Sequence, residues 1–334
     1  MPNTPNTPNT KNTQSNQKTT LTRPGQSQNA FKWAFLHPKY WGIWLGVGLL
    51  KLASPLPNRA KFTLGKWLGR GLYWLAPKRR RLARANIQMA LDKLTPAEQR
   101  AILKAHFESL GIGLMEMAMV WYGDHKKHHA TAKERALVHF IGQENLYNAQ
   151  QQGKGVLILA PHFTTLEVTG LFVSFLTNYH AVYRPHDNPL MDYLIAKGRA
   201  IAFGDGSHVQ PVANSNTRQM LKILRNGQSM TFLPDQRYRS KGHVVVPFFG
   251  VDTKSNPATS KIAKLTGCAV VPTFTRRLKN NQYEVEFLPA LNHFPSGDDV
   301  ADTLRLHQLY EAEIAQNPSQ YLWVHNRWNL KNTH

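Results

Sequence analysis

The stretch Ala160-Pro161-His162-Phe163-Thr164-Thr165-Leu166-Glu167 carries the two side chains best suited to moving a proton. The apolar run over residues 156–160, bounded by Gly155 and Pro161, reads as a short strand, and residues 165–176 read as the helix that follows. His162 then lies in the turn, with Glu167 just inside the helix. Two residues five apart within one helix point about 140° away from each other. From the turn, however, the imidazole can fold back toward the carboxylate. A carboxylate on one ring nitrogen fixes the tautomer and stabilises the imidazolium, so the other nitrogen becomes a base for a hydroxyl. A second reading stays open: Thr164 to Glu167 has the spacing of a capping box, in which Glu167 only closes the helix start.

Comparable polar residues recur further along. Tyr183-Arg184-Pro185 and Asp187-Asn188-Pro189 mark another strand-to-helix turn, Arg199 ends the helix after it, and Leu233-Pro234-Asp235-Gln236 repeats the pattern of a strand followed by a carboxylate. Residues at successive strand ends of an α/β sheet converge on one crevice. His162 and Glu167 are therefore the expected catalytic pair, with Arg184, Asn188, Arg199 and Asp235 as expected substrate contacts. The arginines suit phosphate, because a guanidinium fork matches its oxygens. The pair by itself also fits an ester hydrolase with water as acceptor, but no Gly-x-Ser-x-Gly elbow is present for the common serine type. His125, His128 and His129, interleaved with Lys126 and Lys127, have no carboxylate beyond Asp124 and read as a solvated loop. No metal or other cofactor is expected.

The elements that must hold these residues alternate. Strand-like runs at 181–184, 230–233, 244–247, 270–274 and 283–288 are separated by helical stretches at 189–200, 256–267 and 302–315. This predicts an α/β fold, a mixed β-sheet flanked by helices. Upstream, Thr95-Pro96-Ala97-Glu98 is a capping box with proline at the first helical position. Leu103, Phe107, Leu110, Leu114, Met117 and Trp121 continue it as one helical apolar stripe.

Composition narrows the partners. The 334 residues are 42% hydrophobic, enough for a sizeable core, and carry a formal charge of +21, which calls for an anionic partner. Nucleic acid is one such partner, but no zinc-finger spacing or RNP-like motif supports it. Cys268 is the single cysteine, so no intrachain disulfide forms. The first acidic residue is Asp92; fifteen Lys and Arg precede it, ten of them between Lys51 and Arg84. That basic block follows Trp33, Tyr40, Trp41 and Trp44 and an apolar run over 41–50. The run is shorter than the roughly 20 residues of a spanning helix, yet aromatics before it and cations after it match a lipid headgroup boundary. Residues 31–57 are expected to form an N-terminal membrane-anchoring helix, spanning or interfacial; the alternative is a buried helix of the soluble domain. Residues 1–30, with Pro-Asn-Thr recurring at Pro2, Pro5 and Pro8, read as a disordered tail without a signal peptide. Residues 58–330 are left as the catalytic domain.

Taken in order, these pieces resemble the lysophospholipid acyltransferase superfamily, marked by a histidine, four residues and an acid, and within it the late acyltransferases of lipid A biosynthesis. The resemblance rests on Pro161-His162 with Glu167, Tyr183-Arg184-Pro185 with Asn188-Pro189 and Asp192, Arg199, Pro234-Asp235-Gln236, Pro247-Phe248-Phe249-Gly250, Pro257-Ala258-Thr259, Gln320-Tyr321-Leu322-Trp323-Val324-His325 and Arg327-Trp328. One departure is Arg237-Tyr238-Arg239, where the family has an acidic residue and a glycine. The resemblance implies transfer of an acyl chain from acyl carrier protein to a 3-hydroxyacyl chain on a phosphorylated glucosamine disaccharide. It implies His162 as base with Glu167 in support, at the cytoplasmic face of a bacterial inner membrane whose anionic surface suits the basic block.

Overall fold

A computed structural model describes residues 30–123, 132–202 and 210–330. Four helices come first: α1 (Trp41–Ala53), α2 (Asn58–Leu75), α3 (Pro77–Ala90) and α4 (Pro96–Tyr122). Then follow α5 (Ala132–Arg135), β1 (Val138–Ile141), α6 (Gln143–Gln151), β2 (Val156–Leu159), α7 (Leu166–Ser174), β3 (Tyr179–Tyr183), α8 (Pro189–Ala202), β4 (Val212–Ala213), α9 (Thr217–Arg225) and β5 (Ser229–Phe232). The chain closes with β6 (Val244–Phe248), β7 (Val251–Ser255), α10 (Ala258–Thr266), β8 (Ala269–Arg277), β9 (Tyr283–Phe287) and α11 (Asp299–Gln316). The tail read as disordered and the His125–His129 loop lie outside the described residues.

Seven strands form one sheet in the order β1-β9-β8-β2-β5-β3-β4, and β6 and β7 make a separate antiparallel hairpin. β8, β2, β5, β3 and β4 run parallel, while β9 is antiparallel to β8 and carries β1 parallel to itself. The mixed sheet expected from the alternation is therefore present. β2 is its central strand, and all four of its residues are fully buried. Strand periodicity sends Val156 and Ile158 into the apolar cluster on one face, and Leu157 and Leu159 into the cluster on the other. A strand covered on both faces has to be continuously apolar, as this one is.

α4 crosses behind the sheet. Its expected capping box forms in both directions between Thr95 and Glu98, and its 27 residues extend about 40 Å. Leu103 and Phe107 serve one apolar cluster, and Ile112, Met119, Val120 and Trp121 the other. α2 lies against α4 through glycine on glycine. A Cβ at Gly65 would sit 2.7 Å from the Ile112 Cα, and Cβ atoms at Gly69 or Gly111 would meet backbone of the facing helix even closer. With Gly65 and Gly69 turned inward, α2 leaves Leu64, Trp67, Leu68, Trp74 and Leu75 exposed.

The segment expected to anchor the chain differs from the spanning version of that expectation. α1 has 13 residues, about 20 Å of helix. Among the described residues, no helix is long and apolar enough to cross a membrane. Ile43, Trp44 and Val47 pack onto the core, while Trp41, Leu45, Leu49 and Leu52 on its other side are exposed. The run is apolar all round but only one side of it is covered.

Candidate active site

β2 and β5 are neighbours, with Leu159 in register with Phe232. Each strand is followed by one residue, a proline and then a polar side chain: Ala160-Pro161-His162 and Leu233-Pro234-Asp235. His162 and Asp235 are thus equivalent positions, three residues past a registered pair, and they meet. The His162 backbone N–H donates to Asp235 Oδ2 at 3.1 Å, and Nδ1 lies 2.6 Å from Oδ1. The Asp235 side chain has no solvent exposure, while that of His162 is 21% exposed. Burial alone would raise the Asp235 carboxyl, but the charge and hydrogen bonds of His162, with Arg327 behind, outweigh it and hold the group below its usual range. An ionised carboxylate only accepts, so Nδ1 carries the ring proton and Nε2 is left as the basic nitrogen.

Glu167 is differently engaged, and here the sequence reading is corrected. Its Oε1 accepts from Arg199 Nη2 at 2.6 Å, and its Oε2 accepts from the Trp121 indole at 3.1 Å. The acid on the His162 ring is Asp235, 73 residues further along. The physical reason lies in the helix start: α7 begins at Leu166, which turns Glu167 toward α8 and α4, whereas the neighbouring parallel strand brings Asp235 under the imidazole. The capping-box alternative is not formed either. Thr164 Oγ1 bonds Ser109 at 2.7 Å, and Thr165, the N-cap, makes no side-chain cap.

The four expected substrate contacts separate. Arg199 is largely buried with Glu167; burial disfavours its charge, and the adjacent carboxylate more than restores it. Tyr179 and Tyr183 feel the same guanidinium. Asp235 lies beneath His162, with both oxygens committed. Asn188 caps α8, its Oδ1 accepting from Leu190 N at 3.0 Å and Met191 N at 3.2 Å. Arg184 is on the surface, 3.5 Å from the still more exposed Asp187.

The C-terminal residues complete the turn. Leu322 N–H donates to the His162 carbonyl at 3.0 Å, Thr164 N–H donates to the Gln320 carbonyl at 2.8 Å, and Phe163 bridges Tyr321. The Tyr321 phenol feels Asp235, and burial keeps it protonated. Asn86 of α3 holds the same segment, donating to the Trp323 carbonyl at 2.6 Å and the His325 carbonyl at 2.7 Å. Burial, then the neighbouring His162, lowers His325 to about 4, so it is neutral at pH 7. Sequence reasoning had no role for Tyr321, His325 or Arg327, although it singled out the run that contains them. A second buried network was also not foreseen. Arg277 of β8 donates to both Glu116 oxygens at 2.7 and 2.9 Å and to Ser109 at 2.8 Å, and Tyr283 donates to Glu116 at 2.7 Å. It ties the sheet to α4 and, through Ser109 and Thr164, to the turn that carries His162.

No group of His, Cys, Asp and Glu among the described residues has the arrangement of a metal site. The chemistry the geometry allows is that of an oriented imidazole base. Comparison with known proteins gives it a substrate class. The profile of a family described as bacterial lipid A biosynthesis acyltransferase matches residues 28–330. The lipid A biosynthesis palmitoleoyltransferase of Escherichia coli K12 is 30% identical over 306 residues, covering 91% of this chain and 96% of that one. The lauroyltransferase of the same organism is 30% identical over 303 residues, covering 90% and 95%. Its myristoyltransferase is 25% identical over 296 residues, covering 88% of each. With a match of this extent running through the His162 turn and the C-terminal segment that closes it, the chain belongs to the bacterial lipid A biosynthesis acyltransferases.

Proposed function

We propose that this acyltransferase moves a fatty acyl chain from an acyl thioester of acyl carrier protein to the hydroxyl of a 3-hydroxyacyl chain on a lipid A precursor. The observation that carries the mechanism is the His162–Asp235 pair. With its proton held at Nδ1, His162 uses Nε2 to take the proton of the acceptor hydroxyl. The oxygen attacks the thioester carbonyl, the carbon–sulfur bond breaks, and an ester and a thiolate result. A thiol of ordinary acidity has a pKa of about 8.5, so the leaving group needs little acid assistance, and the imidazolium returns its proton to the sulfur. Glu167 acts through Arg199: the ion pair fixes a guanidinium beside the catalytic turn, where it can meet the carbonyl oxygen as charge develops or a phosphate of the acceptor.

Both the carrier and the acceptor are anionic, which suits a charge of +21. The membrane side of the reading rests on surface composition. Among the described residues, most of the exposed large apolar side chains lie between Phe31 and Leu75, including Trp33, Trp41, Trp67 and Trp74. Exposed cations such as Lys51, Arg59, Lys66, Lys78 and Arg79 are interspersed with them, and no acidic residue precedes Asp92. An apolar face rimmed by cations fits an interfacial seat on an anionic leaflet, with the catalytic domain on the cytoplasmic side of a bacterial inner membrane.

The test supplies purified protein with acyl carrier protein loaded with chains of different length and a lipid A precursor, and weighs the products. A precursor heavier by one acyl residue is the expected result. Free fatty acid at the same rate without acceptor would indicate a hydrolase, and acylation of a phospholipid or another glycolipid in place of the precursor would overturn the substrate assignment.

A further inference from the structure

Arg327 is the odd one among the buried arginines. Arg199, Arg276 and Arg277 all meet glutamate carboxylates. Arg327 is 1% exposed and, among the described residues, has no carboxylate within ion-pair distance. Nη1 donates to Thr253 Oγ1 at 3.1 Å and to the Lys254 carbonyl at 3.0 Å. Nη2 donates to Ser255 Oγ at 2.8 Å and to His307 Nε2 at 3.1 Å, and Nε has no partner. The guanidinium also stands 5.1 Å from the centre of the Phe248 ring. His307 cannot share the charge: its Nδ1 faces the Pro247 carbonyl at 2.7 Å, and burial lowers it to about 4. A cation surrounded by hydroxyls, a carbonyl, a neutral imidazole and a phenyl ring is expensive to bury. A fold that needed only to tie β7 to the C-terminal segment would do so with neutral groups.

Arg327 is tied to the loop that carries Asp235 through His325: the Arg327 backbone N–H donates to the His325 carbonyl at 2.9 Å, and the Arg237 backbone N–H donates to His325 Nε2 at 3.3 Å. Of the groups its guanidinium feels there, Tyr321 and then Asp235 favour its charge. Everything else around Asp235 is either its hydrogen-bond donor or neutral at pH 7. His162 faces it from the turn after β2; Tyr321 and His325 from the C-terminal segment; His307 and Tyr310 from α11. Burial keeps both tyrosines protonated and both of these histidines neutral. Arg237 and Arg239 lie further out on the loop after β5, felt by Arg327 and His325 respectively.

We propose that Arg327 is a positioning residue for acyl transfer: an uncompensated cation behind Asp235 that keeps this carboxylate ionised, and thereby keeps the proton of His162 on Nδ1 and Nε2 free to act as the base. The inference rests on the reading of His162 as that base. Its sign is determined by like charge. A fixed cation opposes the uptake of a further proton by the His162–Asp235 pair, so the pair stays in its basic form to lower pH than it otherwise would.

The decisive variants are Arg327→Met, which removes the charge at similar length, and Arg327→Lys, which keeps it. In Arg327→Met the acid limb of the pH profile of kcat/KM moves to higher pH, by on the order of one pH unit, as expected when a nearby like charge is removed. Arg327→Lys restores most of the difference. The pH dependence of His162 acylation by diethyl pyrocarbonate, read by peptide mass, follows the same titration without turnover, so it stands even if His162 proves not to be the base. Ser255→Asp leaves Arg327 in place and offsets its charge. It moves the acid limb and the acylation titration in the same direction as Arg327→Met and decides the matter if Arg327→Met does not fold. A folded Arg327→Met or Ser255→Asp protein with unmoved limbs, or limbs that move equally in Arg327→Met and Arg327→Lys, overturns the proposal.

Discussion

Asp235 and Glu167 both follow strands of the parallel part of the sheet, both are largely removed from solvent, and each accepts from a nitrogen at 2.6 Å. Their partners make them different sites. Asp235 holds an imidazole whose second ring nitrogen can accept a proton. Glu167 holds a guanidinium that stays charged at any working pH. In the reaction proposed above the first pair changes state, and the second does not. A histidine and an acid five positions apart therefore mark one crevice without being each other's partners, because each is completed by a residue from elsewhere in the chain.

The comparison breaks most visibly at His162 and Asp235. Asp235→Asn preserves shape but removes the charge that stabilises the imidazolium and selects the tautomer. It should lower kcat by about 10³-fold, approaching the 10²–10⁴-fold expected of His162→Ala. The double variant should be little worse than His162→Ala alone, since the two residues act as a unit. Additive losses would show that Asp235 works independently of His162. The same carboxyl should be visible in acid stability. Its pKa is lowered on folding, so it stabilises the fold above the unfolded carboxyl value of about 3.8, and that contribution is lost as pH falls through the lower folded value. Melting of Asp235→Asn should accordingly be less steeply dependent on pH below about 4 than melting of the parent protein.

Glu167→Gln tests the other half. It strands the Arg199 charge, so it should cost about 2–3 kcal/mol in stability, and on the order of 10²-fold in kcat as the guanidinium loses its fixed direction. Thermal melting and steady-state transfer should be measured together. Combining it with Arg199→Met should return most of the stability but none of the activity. Full activity in Glu167→Gln would reduce the ion pair to a structural tie, and the contrast with Asp235 would disappear.

The smallest effect is expected at the exposed apolar side of α1, which touches neither pair. Replacing Trp41, Leu45, Leu49 and Leu52 of α1 with serine should release the protein from anionic vesicles while leaving transfer to detergent-dispersed acceptor within about threefold. Release of the parent protein by high salt alone would mean that the cations, and not the apolar stripe, hold it there.

Local pattern determined a good deal. The buried strand β2 was legible because a strand covered on both faces must be apolar throughout, and Thr95 to Glu98 announced α4 because its cap needs only residues three apart. α10 stops at Gly267, which adopts the left-handed conformation expected of a glycine at a helix end. The histidine in the turn after β2, and the carboxylate after β5, were each visible for the same reason. Short elements without a strong period, such as β1 and β7, were not anticipated, and neither was the packing of α2 on α4 through Gly65, Gly69 and Gly111. What no spacing could decide is which strand lies next to which. β5 lies beside β2 although 73 residues separate His162 from Asp235, so the partner of the imidazole was settled by sheet order and register. Likewise α7, α8 and α4 together chose Arg199 and Trp121 for Glu167. Hydrogen bonds within a turn are written in neighbouring residues; hydrogen bonds between strand ends exist only after the sheet has brought those ends together.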